Sequence, residues 1–192
     1  MDTGKHGKRV SRRKDKMTER IIVAGEGGQG IMLLGKVLAE AGMLGGKYVT
    51  WLPAYGAEVR GGTAHCMVTL SDSPIGSPYI EKADTAIILN SPSFGKFKNR
   101  VKQNGVFFVN SSLVEPKQLK GFRMFWHPFT SIAVETGNIK VANMVAIGCL
   151  LAFKEVVTKK SVLAVIQNHT PADRPQIGEV NRRALEEGMK LA

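Results

Sequence analysis

The sequence is poor in cysteine, in acidic residues, in aromatics and in long apolar runs, and each shortage closes off a class of protein. Two cysteines in 192 residues, Cys66 and Cys149, cannot staple a small secreted scaffold. They share no metal-ligand spacing, lie in apolar stretches, and read as buried free thiols. No apolar run approaches the roughly 18 residues that a membrane span requires. The first run, residues 21–24, is also too short for the apolar core of a signal peptide, so a cytoplasmic protein without a membrane anchor is expected. Asp and Glu number 16 against 27 Lys and Arg, a net charge of +11. Residues 1–20 carry eight Lys or Arg against Asp2, Asp15 and Glu19, so almost half of the excess belongs to these residues, nearly all of them in a basic N-terminal arm, residues 1–19. Aromatics make up 7% of the chain and do not interleave with a basic stripe. Nucleic-acid binding would therefore rest on KRVSRRKDK alone, and a solvated arm is the simpler reading.

The remainder, residues 20–192, is long enough for one well-buried core. Its pattern alternates between β-branched runs and helical periodicity. Residues 20–24 read as a buried parallel strand, and residues 29–44 carry Ile31, Leu34, Val37, Leu38 and Ala41 at helical spacing before Gly45 and Gly46. Further strands are expected at 48–52, 64–70, 85–89, 106–110 and 123–126. Helices are expected from Ser91-Pro92 through about Val101, at 141–153, at 162–167 and at 179–191. This order predicts a three-layer α/β/α sandwich of Rossmann-like type with a mostly parallel sheet. The stretch 48–70 lacks a crossover helix, so part of the sheet is expected to be antiparallel.

Between the first strand and helix lies GEGGQGIMLLGKV, residues 25–37, which imitates two phosphate loops. As a triphosphate loop it fails, because Val37 stands where a Ser or Thr must offer a hydroxyl to magnesium. Lys36 is then a surface lysine. As a dinucleotide loop it has Gly25, Gly27 and Gly30 in register, but no Asp or Glu occurs between Glu40 and Glu58 to hold a ribose. What survives is a strand-to-helix turn with outward amides at Gly27, Gly28, Gln29 and Gly30, able to take an anion. A second cluster follows the next strand: Tyr55, Gly56, Ala57, Glu58, Val59, Arg60, Gly61, Gly62 and Thr63. It sets an aromatic, an acid, a base and a hydroxyl among three glycines. In a doubly wound sheet both clusters would leave from one edge, where such folds place ligands. There Glu58 and Arg60 either pair with each other or grip a partner or anion.

The segments VAGEGGQGIMLLGKVLAEAG, LPAYGAEVRGGTAHCMVTLSDSPIGSP and KADTAIILNSPSF together resemble the gamma subunit of 2-oxoacid:ferredoxin oxidoreductases, over about residues 20–190. The GEGGQG form and the unbroken YGAEVRGGT are more similar to the 2-oxoglutarate type than to the pyruvate type. Ala57 stands where many relatives have proline. The resemblance implies a complex that converts a 2-oxoacid and coenzyme A to acyl-CoA and carbon dioxide, with electrons passing to ferredoxin. Thiamine diphosphate, magnesium and iron–sulfur clusters would serve that complex. This chain has too few cysteines for a cluster, which takes about four thiolates, and no thiamine-diphosphate motif. The resemblance thus implies a subunit that is inactive alone and holds no metal. Its partners would be thiamine-binding alpha and beta subunits and a ferredoxin-like subunit, with a homodimer open to the isolated chain. Gly27, Gly28, Gln29 and Gly30, and Tyr55, Gly56, Glu58, Arg60, Gly61, Gly62 and Thr63, match its motifs as contacts to ligand, coenzyme A or partner. The competing reading is a stand-alone nucleotide- or CoA-binding module.

Three histidines and two tryptophans complete the candidates. His65 has no carboxylate at catalytic spacing and is expected to pack, His127 to sit in a loop, and His169 to be structural. Asn90 is expected to cap the helix that follows it. Trp51 and Trp126 end strands as core or interface anchors.

Overall fold

The computed structural model describes residues 17–54 and 63–191. Most of the basic arm, and Tyr55, Gly56, Glu58, Arg60, Gly61 and Gly62 of the second glycine cluster, lie outside the described residues.

Strands β1 (Thr18–Gly25), β2 (Tyr48–Ala54), β3 (Ala64–Ser71), β4 (Ala83–Ile88), β5 (Val101–Asn110) and β6 (Arg123–His127) form one sheet in the order β2-β3-β1-β4-β5-β6. Neighbours among β1, β4, β5 and β6 are parallel, whereas β3 runs antiparallel to both β1 and β2. The expected mixed sheet is thus present, and the shortness of the connection between Ala54 and Ala64 is the reason: so few residues can only return antiparallel. Residues 21–24 of β1 are fully buried, as a strand covered on both faces requires.

The two faces are covered unequally. On one, Ile22, Ala24, Met67, Ile88, Phe107 and Val109 pack under the short helix α2 (Ser91–Phe97) and the segment around Val114. On the other, Ile21, Val23, Val68, Ile87 and Phe108 meet α1 (Ile31–Leu44), α3 (Phe129–Glu135) and α4 (Ala142–Phe153), with α5 (Lys159–His169) and α6 (Pro175–Met189) joining the same core. Helix α4 is buried along its whole length from Ala142 to Leu151. A helix with no polar face must be enclosed, and glycine makes the enclosure possible. A Cβ on Gly148 would run into the Leu185 carbonyl, and one on Gly188 into the Val145 carbonyl, so α4 and α6 touch backbone to backbone.

Two locks hold the sheet's N-terminal edge. Glu19 is buried, accepts a hydrogen bond from Thr85 Oγ1 at 2.6 Å and pairs with Lys154 Nζ at 2.6 Å. Asp84 accepts from the Arg20 backbone N–H at 2.9 Å and pairs with Lys102 at 2.5 Å.

Several boundaries differ from those the sequence predicts. The helix expected to reach Val101 stops at Phe97, continues as a 3-10 turn over Lys98–Arg100, and gives way to β5 at Val101. Val101 is a buried β-branched residue aligned with Ala83, and sheet pairing overrides the helical run. Strand β5 is irregular at its start, where Asn104 has φ of 63°, so its clean apolar alternation begins only at Val106. Helix α3 was not expected. It has no side-chain cap and anchors through two buried residues, Phe129 and Ala133, too few to give a period. Helices α5 and α6 begin earlier than predicted, the first capped by Thr158 on Ser161 N–H and the second opened by Pro175. Among the described residues no helix is long and apolar enough to cross a membrane.

Replacing Gly148 by Ala should lower stability by about 1–3 kcal/mol through overpacking, despite the better helix propensity of Ala. Gly27→Ala adds a Cβ where nothing lies within 4 Å and should stay within about 0.5 kcal/mol of the parent. Urea unfolding followed by circular dichroism separates the two.

Candidate functional site

Strand β1 ends at Gly25 beside Ala64 of β3. On its other side Ala24 lies beside Ile88 of β4. The chain leaves β1 through α1 on one face and leaves β4 through α2 on the other. This makes the β1–β4 boundary the topological switch point of the sheet, the place where a crevice opens beyond the strand ends.

The glycine turn at that boundary is tightly built. Gln29 is its clamp: its Oε1 accepts from Glu26 N–H at 2.8 Å, its Nε2 donates to the Leu89 carbonyl at 3.3 Å, and its own N–H donates to Glu26 O at 3.2 Å. Gly28 and Gly30 have φ of 93° and 72°, a region open to glycine at little cost. Gly30 is also the N-cap of α1, and its carbonyl accepts from Leu34 N–H at 2.9 Å and from Asn143 Nδ2 at 3.2 Å. A Cβ at Gly30 would occupy the Asn143 amide. Of the four residues named from the sequence, Gln29 is therefore structural in its side chain and in its N–H, and Gly27 and Gly28 are the exposed ones.

Beside the turn lies a cleft of about 250 Å³ lined by Gly28, Gln29, Leu89, Asn110, Thr130 and Ala142, with Leu113, Ile139 and Lys140 at its walls. Asn110 is buried and fixes the far wall. Its Nδ2 donates to Thr130 Oγ1 at 2.8 Å, and its Oδ1 accepts from Thr130 N–H at 3.2 Å. Lys140 is exposed on a 3-10 turn pinned by Asn138 Oδ1. The cleft combines an apolar interior, an ammonium and glycine amides, which suits an anionic head on an apolar body. Glu26 is exposed on the same turn, and its carboxylate counts against an anion there. Leu113 and Ile139 are about half exposed.

The second glycine cluster is anchored at both ends on this same edge. Ala54 lies opposite His65, and Ala64 opposite Gly25. Thr63, the one described member of that cluster, is buried, and its Oγ1 has no partner among the described residues. His65 packs its ring 4.8 Å from Phe97. Burial lowers its pKa below the usual 6.5, the Thr63 backbone opposes this, and Lys96 and Arg100 add to it. His127 ends β6 rather than sitting in a loop, and burial lowers its pKa too. His169 ends α5 and bonds Glu40 of α1 at 2.7 Å, a structural tie. Burial pushes both the Cys66 and Cys149 thiols up to about 12, so neither is a nucleophile near neutral pH. Asn90 caps α2 through Ser93 N–H at 3.1 Å. Trp51 packs against the α1 side of the core and Trp126 lies 5.6 Å from Phe94, so both serve packing.

Sequence reasoning missed Asn110, Thr130, Lys140 and Asn143. Asn143 alone left a signal, as the single amide in the apolar run VANMVAIGCLL.

Asn143→Leu should cost about 1–3 kcal/mol by leaving the Gly30 carbonyl short of a donor, measurable by urea unfolding. The two lowered histidines also fix a pH dependence. The unfolded chain takes up protons near pH 6.5 that the folded chain refuses, so stability is complete above that pH and declines as pH falls through it. Thermal midpoints between pH 7.5 and 5 should show this, and the double variant His65→Phe/His127→Phe should flatten the profile.

The profile of the pyruvate ferredoxin/flavodoxin oxidoreductase family matches residues 20–191. The 2-oxoglutarate synthase subunit KorC of Methanocaldococcus jannaschii is 33% identical over 187 residues, covering 95% of this chain and 98% of that one. The ketoisovalerate oxidoreductase subunit VorA of Methanothermobacter marburgensis is 30% identical over 90% of this chain, which spans only 36% of that longer subunit. The crystal structure of a keto/oxoacid ferredoxin oxidoreductase gamma subunit from Geobacter sulfurreducens is similar with a TM-score of 0.79 and 30% identity, over 91% of this chain and 98% of that one. The resemblance carried by the two glycine motifs extends through the described fold, and the chain belongs to the pyruvate ferredoxin/flavodoxin oxidoreductase family.

Proposed function

We propose that the chain is the gamma subunit of a cytoplasmic, multi-subunit 2-oxoacid:ferredoxin oxidoreductase, with 2-oxoglutarate as its oxoacid. The observation that carries this is the end-to-end match to a subunit named for 2-oxoglutarate synthase, 98% of which this chain covers. The complex would convert a 2-oxoacid and coenzyme A to acyl-CoA and carbon dioxide, releasing a proton and two electrons to ferredoxin.

The chain's own residues do not fit the redox and carbon chemistry. Its two thiols are buried and unpaired, and among the described residues no group of three or more His, Cys, Asp or Glu could hold a metal ion. Thiamine diphosphate with magnesium would supply the carbanion chemistry and iron–sulfur clusters the electron path. Both would be held by alpha, beta and ferredoxin-like partners. This chain's contribution is a shaped edge. The Gly27 and Gly28 amides and the Lys140 ammonium receive an anionic group, such as one carried by coenzyme A. Leu113 and Ile139 offer apolar surface for a partner, and the Tyr55–Thr63 cluster completes the contact with its Glu58 and Arg60. The basic arm, residues 1–19, stands apart from this role, and the isolated chain is free to form a homodimer.

A second reading, a stand-alone CoA- or nucleotide-binding module, is favoured only by the presence of a cleft at the switch point. Calorimetry distinguishes the two. Micromolar binding of coenzyme A or NAD by the lone chain supports the module, and binding only in the complex supports the subunit.

Purification of the tagged chain from its native cells should bring down a thiamine-binding protein and an iron–sulfur protein; recovery of the chain alone would overturn the subunit reading. Gly27→Val, which meets open space in the fold, and Lys140→Glu should each reduce 2-oxoglutarate-dependent ferredoxin reduction by the complex about tenfold or more, the worth of one charge-assisted contact. Their thermal midpoints should match the parent.

A further inference from the structure

A second built cavity lies at the opposite end of β1, at the N-terminal edge of the sheet. Strand periodicity places Thr18, Arg20, Ile22 and Ala24 on one face of β1, and Met67, Thr69 and Ser71 on the same face of β3. Thr18 is in register with Ser71, Arg20 with Thr69, and Ile22 with Met67. Toward the C-terminal edge this face is apolar core under α2. Toward the N-terminal edge it turns abruptly to hydroxyls and a guanidinium. The segment 73–79 closes over them and leaves a cavity of about 260 Å³. Thr69 and Ser71 are each only 2% exposed, so these hydroxyls are not a solvated rim.

The hydrogen bonds leave several donors unspent. Ser71 Oγ accepts from Ser73 N–H at 3.1 Å and shares one hydrogen bond with Thr18 Oγ1 at 2.8 Å. Two hydroxyl protons serve one mutual bond, so one remains to donate. Ser77 Oγ accepts from Tyr79 N–H at 3.2 Å and keeps its own proton. Thr69 Oγ1 has no partner among the described residues. Arg20 approaches Asp84 only at 3.8 Å, beyond hydrogen-bond length. The Asp84 carboxylate is already engaged by the Arg20 backbone N–H and by Lys102. The Arg20 guanidinium thus pairs only loosely with Asp84 and keeps its hydrogen-bond donors for the cavity it lines.

We propose that this cavity binds a small tetrahedral oxyanion, a phosphoryl group, which Arg20 grips through its fork while the Thr18–Ser71 pair and Thr69 donate to its oxygens. A phosphoryl group accepts hydrogen bonds, and this cavity offers it a guanidinium and hydroxyl protons that no protein partner takes up. This site stands at the other edge of the sheet from the glycine turn and does not depend on the function proposed above.

The test is a titration of the isotopically labelled full chain at constant ionic strength, read by amide chemical shifts. Its three arms are inorganic phosphate, glycerol 3-phosphate and glycerol. Saturable shifts confined to residues 18–20 and 69–79 are expected with either phosphate. Arg20→Gln and Ser71→Ala should each weaken binding about tenfold, the worth of a charge-assisted contact. Arg20→Lys should fall between, and Lys160→Gln, at an exposed position of α5, should bind as the parent does. Tighter binding of the ester marks a phosphorylated metabolite as the ligand, and tighter binding of phosphate marks the free ion. The proposal is overturned by linear shifts equal to those of added chloride, by shifts mapping elsewhere, by binding that survives Ser71→Ala, or by glycerol saturating the same residues.

Discussion

One missing Cβ organises the glycine-turn edge of this molecule. Gly30 turns left-handed at the start of α1, and the space beside it is filled by the amide of Asn143, which donates to its carbonyl. That bond joins the first turn of α1 to the first turn of α4 across more than a hundred residues of sequence. Ala142 follows the turn that carries Lys140, so the same bond helps set the distance between the glycine turn and the lysine that lines the cleft. Gln29 does the equivalent work toward β4 through the Leu89 carbonyl. The turn is thus held from two sides, and the cleft is pre-formed in the free chain.

Helix α4 carries this arrangement inward. It is apolar all round and lies against α6 through glycine on both partners. A helix enclosed in this way cannot rotate or slide without opening both contacts, and interiors packed to crystal-like density resist such shifts. The Asn143 amide, fixed on that helix, inherits its rigidity.

Much of this was legible in the sequence. The strand–glycine–helix order, the apolar α4 and the short connection between β2 and β3 are each visible as local pattern, and together they point to a mixed sheet. The reading against a triphosphate or dinucleotide loop likewise rests on single positions, Val37 and the acid-free end of β2. What escaped is non-local. Lys140, Asn110 and Thr130 come together only because β5, α3 and the turn before α4 end at one place, and α3 rests on two buried residues too sparse to show a period. The boundary at Val101 failed for the opposite reason: a helical run was long enough locally, but pairing with β4 claimed its end. The donor-rich cavity under residues 73–79 looks in sequence like ordinary strand alternation, since only the register of β1 with β3 stacks Thr18 on Ser71 and Arg20 on Thr69.

The reversed direction of β3 has a consequence for how this fold can vary. A parallel strand in that place would need a crossover of a dozen residues or more, whose packing would fix its length. Because β2 and β3 are antiparallel neighbours, the chain between Ala54 and Thr63 is bounded by two adjacent strand ends and is not required to carry a core helix. Lengthening such a span costs little, about 0.6 kcal/mol for each doubling. The register of β2 with β3 and of β3 with β1 is set by buried side chains elsewhere in the strands. The span between Ala54 and Thr63 can therefore change its length with little effect on the stability of the sheet.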